Sequence, residues 1–226
     1  MIPRLAGDTP GRPMPRHLTR QAHAQRCAQL RRRRCRCGDC QGSAHCPRDL
    51  IRLFNLEFAR SHQTVLVRGQ DEPLYLPANA GNRCHRIVFA HGYYASALHE
   101  IAHWCLAGPA RRQQVDYGYW YEPAGRDASA QQRFEAVEAR PQAIEALLAA
   151  AAGFTFTPSA DNPGAGGGGR HFVQRVERQI QRERRRGLPP RARRFVQRLH
   201  LFYRTPLEAV AEGDAMAEAC RATSLV

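Results

Sequence analysis

The residues best equipped for chemistry are His99-Glu100-Ile101-Ala102-His103, an H-E-x-x-H pattern. On a helix, an i to i+4 spacing sets both imidazoles on one face, roughly 6 Å apart along the axis at 1.5 Å rise per residue. Two neutral imidazoles so placed can share one divalent metal. The residues around them, Leu98, Ile101, Ala102, Cys105 and Leu106, are apolar. Two histidines and a glutamate in such a helix need partners, and a metal supplies them. The plain alternative is a chance pair of helix-surface histidines. A third, anionic ligand would offset part of a dication's charge, and Glu135 and Glu138 stand i and i+3 apart on the next long helical segment. Either could reach across, and either could instead pair in solvent with Arg133 or Arg140. Two histidines and one carboxylate leave open positions on a metal, as zinc hydrolases and non-haem Fe(II) oxygenases both require. Spacing does not choose between them.

Several elements must position these groups. Ile51, Leu53, Phe54, Leu56 and Phe58 predict an amphipathic first helix over residues 47–60. Short β-branched or apolar runs at 64–67, 74–76 and 86–90 read as strands, the last stopped by His91-Gly92. The H-E-x-x-H helix spans about 94–107 and ends at Gly108-Pro109. Tyr117, Tyr119 and Tyr121 alternate with Gly118 and Trp120, as in a strand or extended loop. Residues 131–152 are helical with Pro141 as a kink or restart point. The glycine-rich run 161–169 is a loop, and residues 171–186 and 191–203 form two basic helices. Helices outnumber strands and the strands cluster early. The expected class is α+β, a small sheet packed with helices and a metal site on the H-E-x-x-H helix.

The chain is 226 residues with 43% hydrophobic and 24% charged residues, enough for a real core. Its longest apolar run, residues 146–152, is far short of the roughly 20 that span a bilayer. The net charge is +14, and all 34 basic residues are Arg. No site needs arginine at every position, so a coding bias explains much of this. Residues 1–46 carry 10 Arg against Asp8 and Asp39, a net of +8, with no apolar periodicity. They read as a disordered extension without the apolar region of a secretory signal. Cys35, Cys37, Cys40 and Cys46 lie close enough to bind zinc, but the long loop between two C-x2-C pairs is missing. With no orderly disulfide pattern, the expected compartment is the cytoplasm. Residues 170–198 hold 11 Arg against Glu177 and Glu183. These are either solvated faces or a docking surface for an acidic protein or nucleic acid.

The ordered segments of this chain resemble the elongation factor P hydroxylase family. The similarity runs through Asp71-Glu72-Pro73-Leu74-Tyr75-Leu76-Pro77-Ala78, Arg86-Ile87-Val88-Phe89-Ala90-His91-Gly92, and Ala95-Ser96-Ala97-Leu98 into the H-E-x-x-H segment and Trp104-Cys105. It continues through Gly118-Tyr119-Trp120-Tyr121, Gly125-Arg126-Asp127-Ala128, Phe134-Glu135-Ala136-Val137-Glu138, Pro141-Gln142-Ala143, Ala152-Gly153 and Asp161-Asn162. It covers roughly residues 47–206, taken as the catalytic domain, with 207–226 as a tail. Residues 1–46 and the glycine run inherit nothing from it.

The resemblance implies His99, His103 and Glu138 as metal ligands, with Glu135 in reserve; Glu100, between the two histidines, is the candidate catalytic carboxylate. It implies Fe(II) and O2, an α+β fold like that of a metal-dependent endoribonuclease of rRNA maturation, and a cytoplasmic translation factor as partner. The implied reaction hydroxylates the β-lysylated lysine of elongation factor P. A long cationic arm should meet carboxylates and aromatic faces. Tyr119, Trp120, Tyr121, Arg126 and Asp127 are the expected substrate-binding residues, with Asp116 and Glu122 nearby. No membrane contact is expected, and nucleic acid is not the expected partner. Two alternatives stand beside this reading: a zinc peptidase with Glu100 as general base, and a basic RNA-binding module.

Overall fold

A computed structural model describes residues 44–116, 126–159 and 170–205. Within them the order is α1 (Pro47–Phe58), β1 (Thr64–Arg68), β2 (Leu74–Leu76), β3 (His85–Phe89), α2 (Tyr94–Leu106), α3 (Ala128–Ala152), α4 (Arg170–Arg186) and α5 (Pro190–Tyr203). Single 3₁₀ turns occupy Ala90–Gly92 and Arg111–Gln113. The class is α+β. Among the described residues no helix is long and apolar enough to cross a membrane.

α1 starts where Pro47 needs no amide partner, with Asp49 in its first turn facing the positive end of the helix dipole. Leu50, Leu53, Phe54 and Phe58 recur at helical spacing and are fully buried. Each contributes about 1.5–3 kcal/mol by leaving water. The three strands form one sheet in the order β1-β3-β2, β1 parallel and β2 antiparallel to β3. Leu66 pairs with Ile87, and Ile87 with Tyr75, in one row. Leu66, Ile87 and Phe89 alternate along their strands and fall into the core, where α1 packs on β1 and α2 on β3. The exposed edge of β1 is partly closed by Asn55 of α1, whose Oδ1 accepts from Leu66 N at 2.8 Å.

α2 is buried on most of its circumference, and Leu98, Ile101 and Ala102 are wholly enclosed. It enters through a tight turn. His91 and Gly92 both have positive φ (50° and 72°). A Cβ at Gly92 would meet the movable Arg68 guanidinium at 2.5 Å, and the left-handed φ itself strains any other residue there. Ser96 Oγ accepts from Ala90 N at 3.0 Å and ties that turn to the helix.

α3 runs unbroken for 25 residues. Asp127 caps its start, accepting from Ala130 N at 2.7 Å, and Gly153 in the left-handed region ends it. Pro141 is therefore not a restart point, since the helix continues through it. It deletes one helical hydrogen bond, and packing of α3 against α2, α4 and α5 holds the axis through the gap.

The two basic helices pack on the body through buried contacts. Phe172 and Val176 of α4 meet Ala139 of α3, while Phe195 and Leu199 of α5 join the main core. Several arginines are structural. Arg198 is buried and its Nε donates to Glu57 Oε2 at 2.9 Å, and Arg194 Nε donates to Glu57 Oε1 at 2.9 Å. Arg191 donates to the carbonyls of Cys105 (3.1 Å) and Ala107 (2.5 Å), with its guanidinium 4.7 Å from the Trp104 ring centre. These three clamp α5 to α1 and α2, Arg198 from within the fold and Arg194 from its solvent-facing side.

His45 and Cys46, just before the first helix, pack against the body. His45 Nε2 bonds to Ala152 O at 2.9 Å, and its ring lies against Tyr94, Phe154 and Tyr203. Cys46 is buried and disulfide-bonded. A sulfur held that way is not a thiolate ligand, which removes Cys46 from the expected zinc set.

Candidate metal centre

The central helix delivers what its spacing promises. His99 Nε2 and His103 Nε2 stand 3.0 Å apart, with the rings at 74° to each other. Glu138 of α3 faces the pair from across the groove, Oε1 3.4 Å from His103 Nε2 and Oε2 3.6 Å from His99 Nε2. One donor atom from each residue lies within 4.8 Å of the others. Glu138 is buried, yet its Oε2 makes no hydrogen bond. A buried carboxylate oxygen without a donor costs free energy unless a cation meets it. An ion bound at about 2.0–2.1 Å to two imidazole nitrogens needs them about 3 Å apart. The three residues fit a first-row dication.

Glu135, one turn earlier on α3, is outside this group. Its Oε1 accepts from Gln131 Nε2 at 3.2 Å. The rotational setting of α3 aims Glu138, not Glu135, at α2.

Glu145, seven residues beyond Glu138 and so on the same stripe of α3, accepts from His99 Nδ1 at 2.8 Å. That bond leaves His99 Nε2 as the nitrogen presented to the group, the arrangement typical of metal-binding imidazoles. Gln142, on the same stripe between the two glutamates, is locked to Ser159 by paired bonds. Its Nε2 donates to Ser159 O at 2.5 Å, and its Oε1 accepts from Ser159 N at 3.0 Å. Neither Glu145 nor Gln142 was singled out from sequence, although the 3–4 spacing Glu138-Gln142-Glu145 was there to read.

The electrostatics suit a cation. Burial disfavours a charged His99, but the Glu145 hydrogen bond and the charges of Glu145, Glu100 and Glu138 outweigh it and raise its pKa to about 10. Burial would raise the Glu138 carboxyl, but the His103 bond and both imidazole charges outweigh it, so its pKa falls and it stays ionised. Glu100 behaves differently. Burial dominates and its pKa is raised despite the two histidines.

The centre opens into a cleft of about 580 Å³ between α2, α3 and the turn before β2. Asp71, Glu72, His91, Phe134 and Glu100 line it with the three donors and Glu145. Glu100 also lines a small cavity of about 30 Å³ behind α2, beside Trp104, Arg111 and Arg112. Of the expected substrate residues, Tyr119, Trp120 and Tyr121 lie outside the described residues, as does Glu122. Arg126 and Asp127 do not line the cleft. Arg126 stacks 3.9 Å over the Phe134 ring and so backs one cleft wall, while Asp127 caps α3. Asp116 is held by Arg111 and by a backbone bridge to Tyr75.

Comparison with known proteins agrees with the segments quoted from sequence. A family model described as elongation factor P hydroxylase matches residues 53–213. A Haemophilus influenzae protein named elongation factor P lysine hydroxylase is 49% identical over 158 residues, which cover 70% of this chain and 89% of that protein.

Proposed function

This chain belongs to the elongation factor P hydroxylase family, and from that we propose that it hydroxylates the β-lysylated lysine side chain of elongation factor P at a mononuclear metal site, with Fe(II) as metal and O2 as oxidant. The observation that carries the metal assignment is the buried Glu138 carboxylate, whose Oε2 makes no hydrogen bond and whose two oxygens face the His99 and His103 Nε2 atoms. His99, His103 and Glu138 would hold the ion. A redox metal with open positions supplies the oxidising power that an unactivated C–H bond demands. Glu145 holds the proton on His99 Nδ1 and thereby keeps Nε2 turned inward. Glu138 contributes a negative charge that neutralises half of a dication. Gln142, pinned to Ser159, braces the α3 stripe between the two glutamates.

Glu100 is the proposed catalytic carboxylate. Hydroxylation needs no base for water, so its part is to meet substrate within the cleft. Tyr119, Trp120 and Tyr121 remain the proposed residues flanking the lysyl arm, with Arg126 acting at one remove by bracing Phe134 and Asp127 by capping α3. Residues 47–206 form the proposed catalytic domain, acting in the cytoplasm where the translation factor is made. Against an RNA-binding module stands the use of Arg191, Arg194 and Arg198 within the fold. The zinc peptidase reading keeps one supporting observation: Glu100 lines the same cleft as the two histidines.

Intact mass analysis of β-lysylated elongation factor P, incubated in air with purified protein, Fe(II) and a two-electron reductant such as ascorbate, tests the proposal. One oxygen atom of O2 enters the C–H bond and the other leaves as water at the reductant's expense. A gain of one oxygen atom is expected. An unmodified mass together with peptide cleavage by the zinc-loaded protein would replace it with the peptidase reading.

A further inference from the structure

In a chain with 34 arginines, carboxylates are expected to find a guanidinium or another donor. Most do. Asp49 pairs with Arg52, Glu57 with Arg194 and Arg198, Asp116 with Arg111, and Glu183 with Arg140. Glu135, Glu138 and Glu145 bond to Gln131 or histidines, and Asp127 caps a helix. Among the described residues, the acids left with no hydrogen bond or ion pair are Asp71, Glu72, Glu100 and Glu177. Three of these four line the cleft in front of the metal group, and no arginine lines it.

Asp71 and Glu72 are exposed on the turn before β2. Glu100 is only 8% exposed and makes no hydrogen bond, with only the more distant charges of His99, His103 and Arg111 to offset its own. A buried carboxylate without a donor is costly, and its environment retains that cost where a ligand meets it. Asp71, Glu72 and Glu100 do not converge with histidines or with one another closely enough to form a second metal group among the described residues. The spread of three carboxylates from rim to floor suits a long flexible cation with separated charges.

We propose that Asp71 and Glu72 at the rim and Glu100 at the floor bind the ammonium groups of an alkylamine arm and so select a doubly cationic substrate. This rests on the hydroxylase reading for the identity of the arm, but the binding claim concerns the cleft itself. Asp71 and Glu72 act by electrostatic attraction at the opening, and Glu100 by a desolvated charge pair beside the metal. The carboxylates expected from sequence for this task, Asp116 and Asp127, are already engaged elsewhere.

The test titrates the full-length protein with 1,5-diaminopentane and with 1,5-pentanediol by calorimetry, alongside steady-state kinetics on β-lysylated elongation factor P. The diamine should bind and the diol should not. D71N/E72Q should weaken diamine binding about five-fold, as expected for exposed charges, and raise KM more than it lowers kcat. E100Q should weaken diamine binding at least about ten-fold, as expected for a desolvated partner. Melting temperatures within error of wild type in D71N/E72Q would show that the loss is not one of folding. Equal diamine affinity in wild type and D71N/E72Q, or saturation by Ca²⁺ with no diamine binding, overturns the proposal. Diamine binding that follows the three carboxylates in a protein that leaves elongation factor P unmodified would uphold the proposal and sink the hydroxylase reading instead.

Discussion

Glu145 Oε2 sits 2.8 Å from His99 Nδ1, two helical turns along α3 from Glu138, which faces the other nitrogen of the same ring. One helix thus grips both sides of one imidazole. The ring's orientation is set by Glu145 and its chemistry is shared with Glu138. Such outer partners typically account for about 10–100-fold in metal affinity. Glu145→Gln is expected to cost an amount in that range, and Glu145→Ala more, while secondary structure is unchanged. Competition with a chromophoric chelator measures it. Wild-type affinity in both variants would reduce Glu145 to a packing role.

His99→Ala, His103→Ala and Glu138→Ala should each abolish metal retention and hydroxylation, with melting temperatures close to wild type because none of the three side chains belongs to the hydrophobic core. Glu135→Ala should retain both metal and activity. Metal content by plasma mass spectrometry after desalting decides it. Loss of metal in Glu135→Ala with retention in Glu138→Ala would reverse the assignment. Removing the metal by dialysis against chelator should stop turnover, and adding Fe(II) back should restore it better than Zn(II).

Glu100→Gln separates the two chemistries. A peptidase would lose its general base and fall silent. A hydroxylase should lose only part of its rate, most of it through KM for the cationic substrate. Steady-state kinetics on the protein substrate gives the answer directly.

The α1–α5 clamp sets an acid limit on stability. Burial would raise the Glu57 carboxyl, but hydrogen bonds and charges from Arg198 and then Arg194 outweigh it, so its folded-state pKa is lowered. A lowered pKa means that the stabilisation is fully present above the unfolded value of about 4.3 and disappears as pH falls through the lower folded value. Glu57→Gln should cost about 3–5 kcal/mol near neutral pH, since it leaves Arg198 buried without its counter-charge. The variant should also lose part of the wild type's pH dependence below about pH 5. Urea denaturation at pH 7 and pH 4 checks both statements.

Much of this protein was legible along the chain because the governing physics is local. The helix and strand positions follow from apolar periodicity, and β1, β2, β3 and α2 fall within a residue or two of their expected bounds. The His99–His103 pair needs only 3.6 residues per turn to come together. Pro141 misled because its local cost is real, whereas the packing that outweighs it comes from three other helices. The choice between Glu135 and Glu138 could not be read from spacing, since i and i+3 share one helix face and only the rotation of one helix against the other separates them. The Glu57–Arg198 bond joins residues 141 positions apart. From sequence, Arg198 is one more charge in a basic run. Asp71, Glu72 and Glu100 likewise belong to different elements, and only the packing of α2 beside the β2 turn turns three isolated acids into one cleft wall. Periodicity decided what each segment becomes. Which side chains meet depended on long-range packing, which a one-dimensional pattern does not encode.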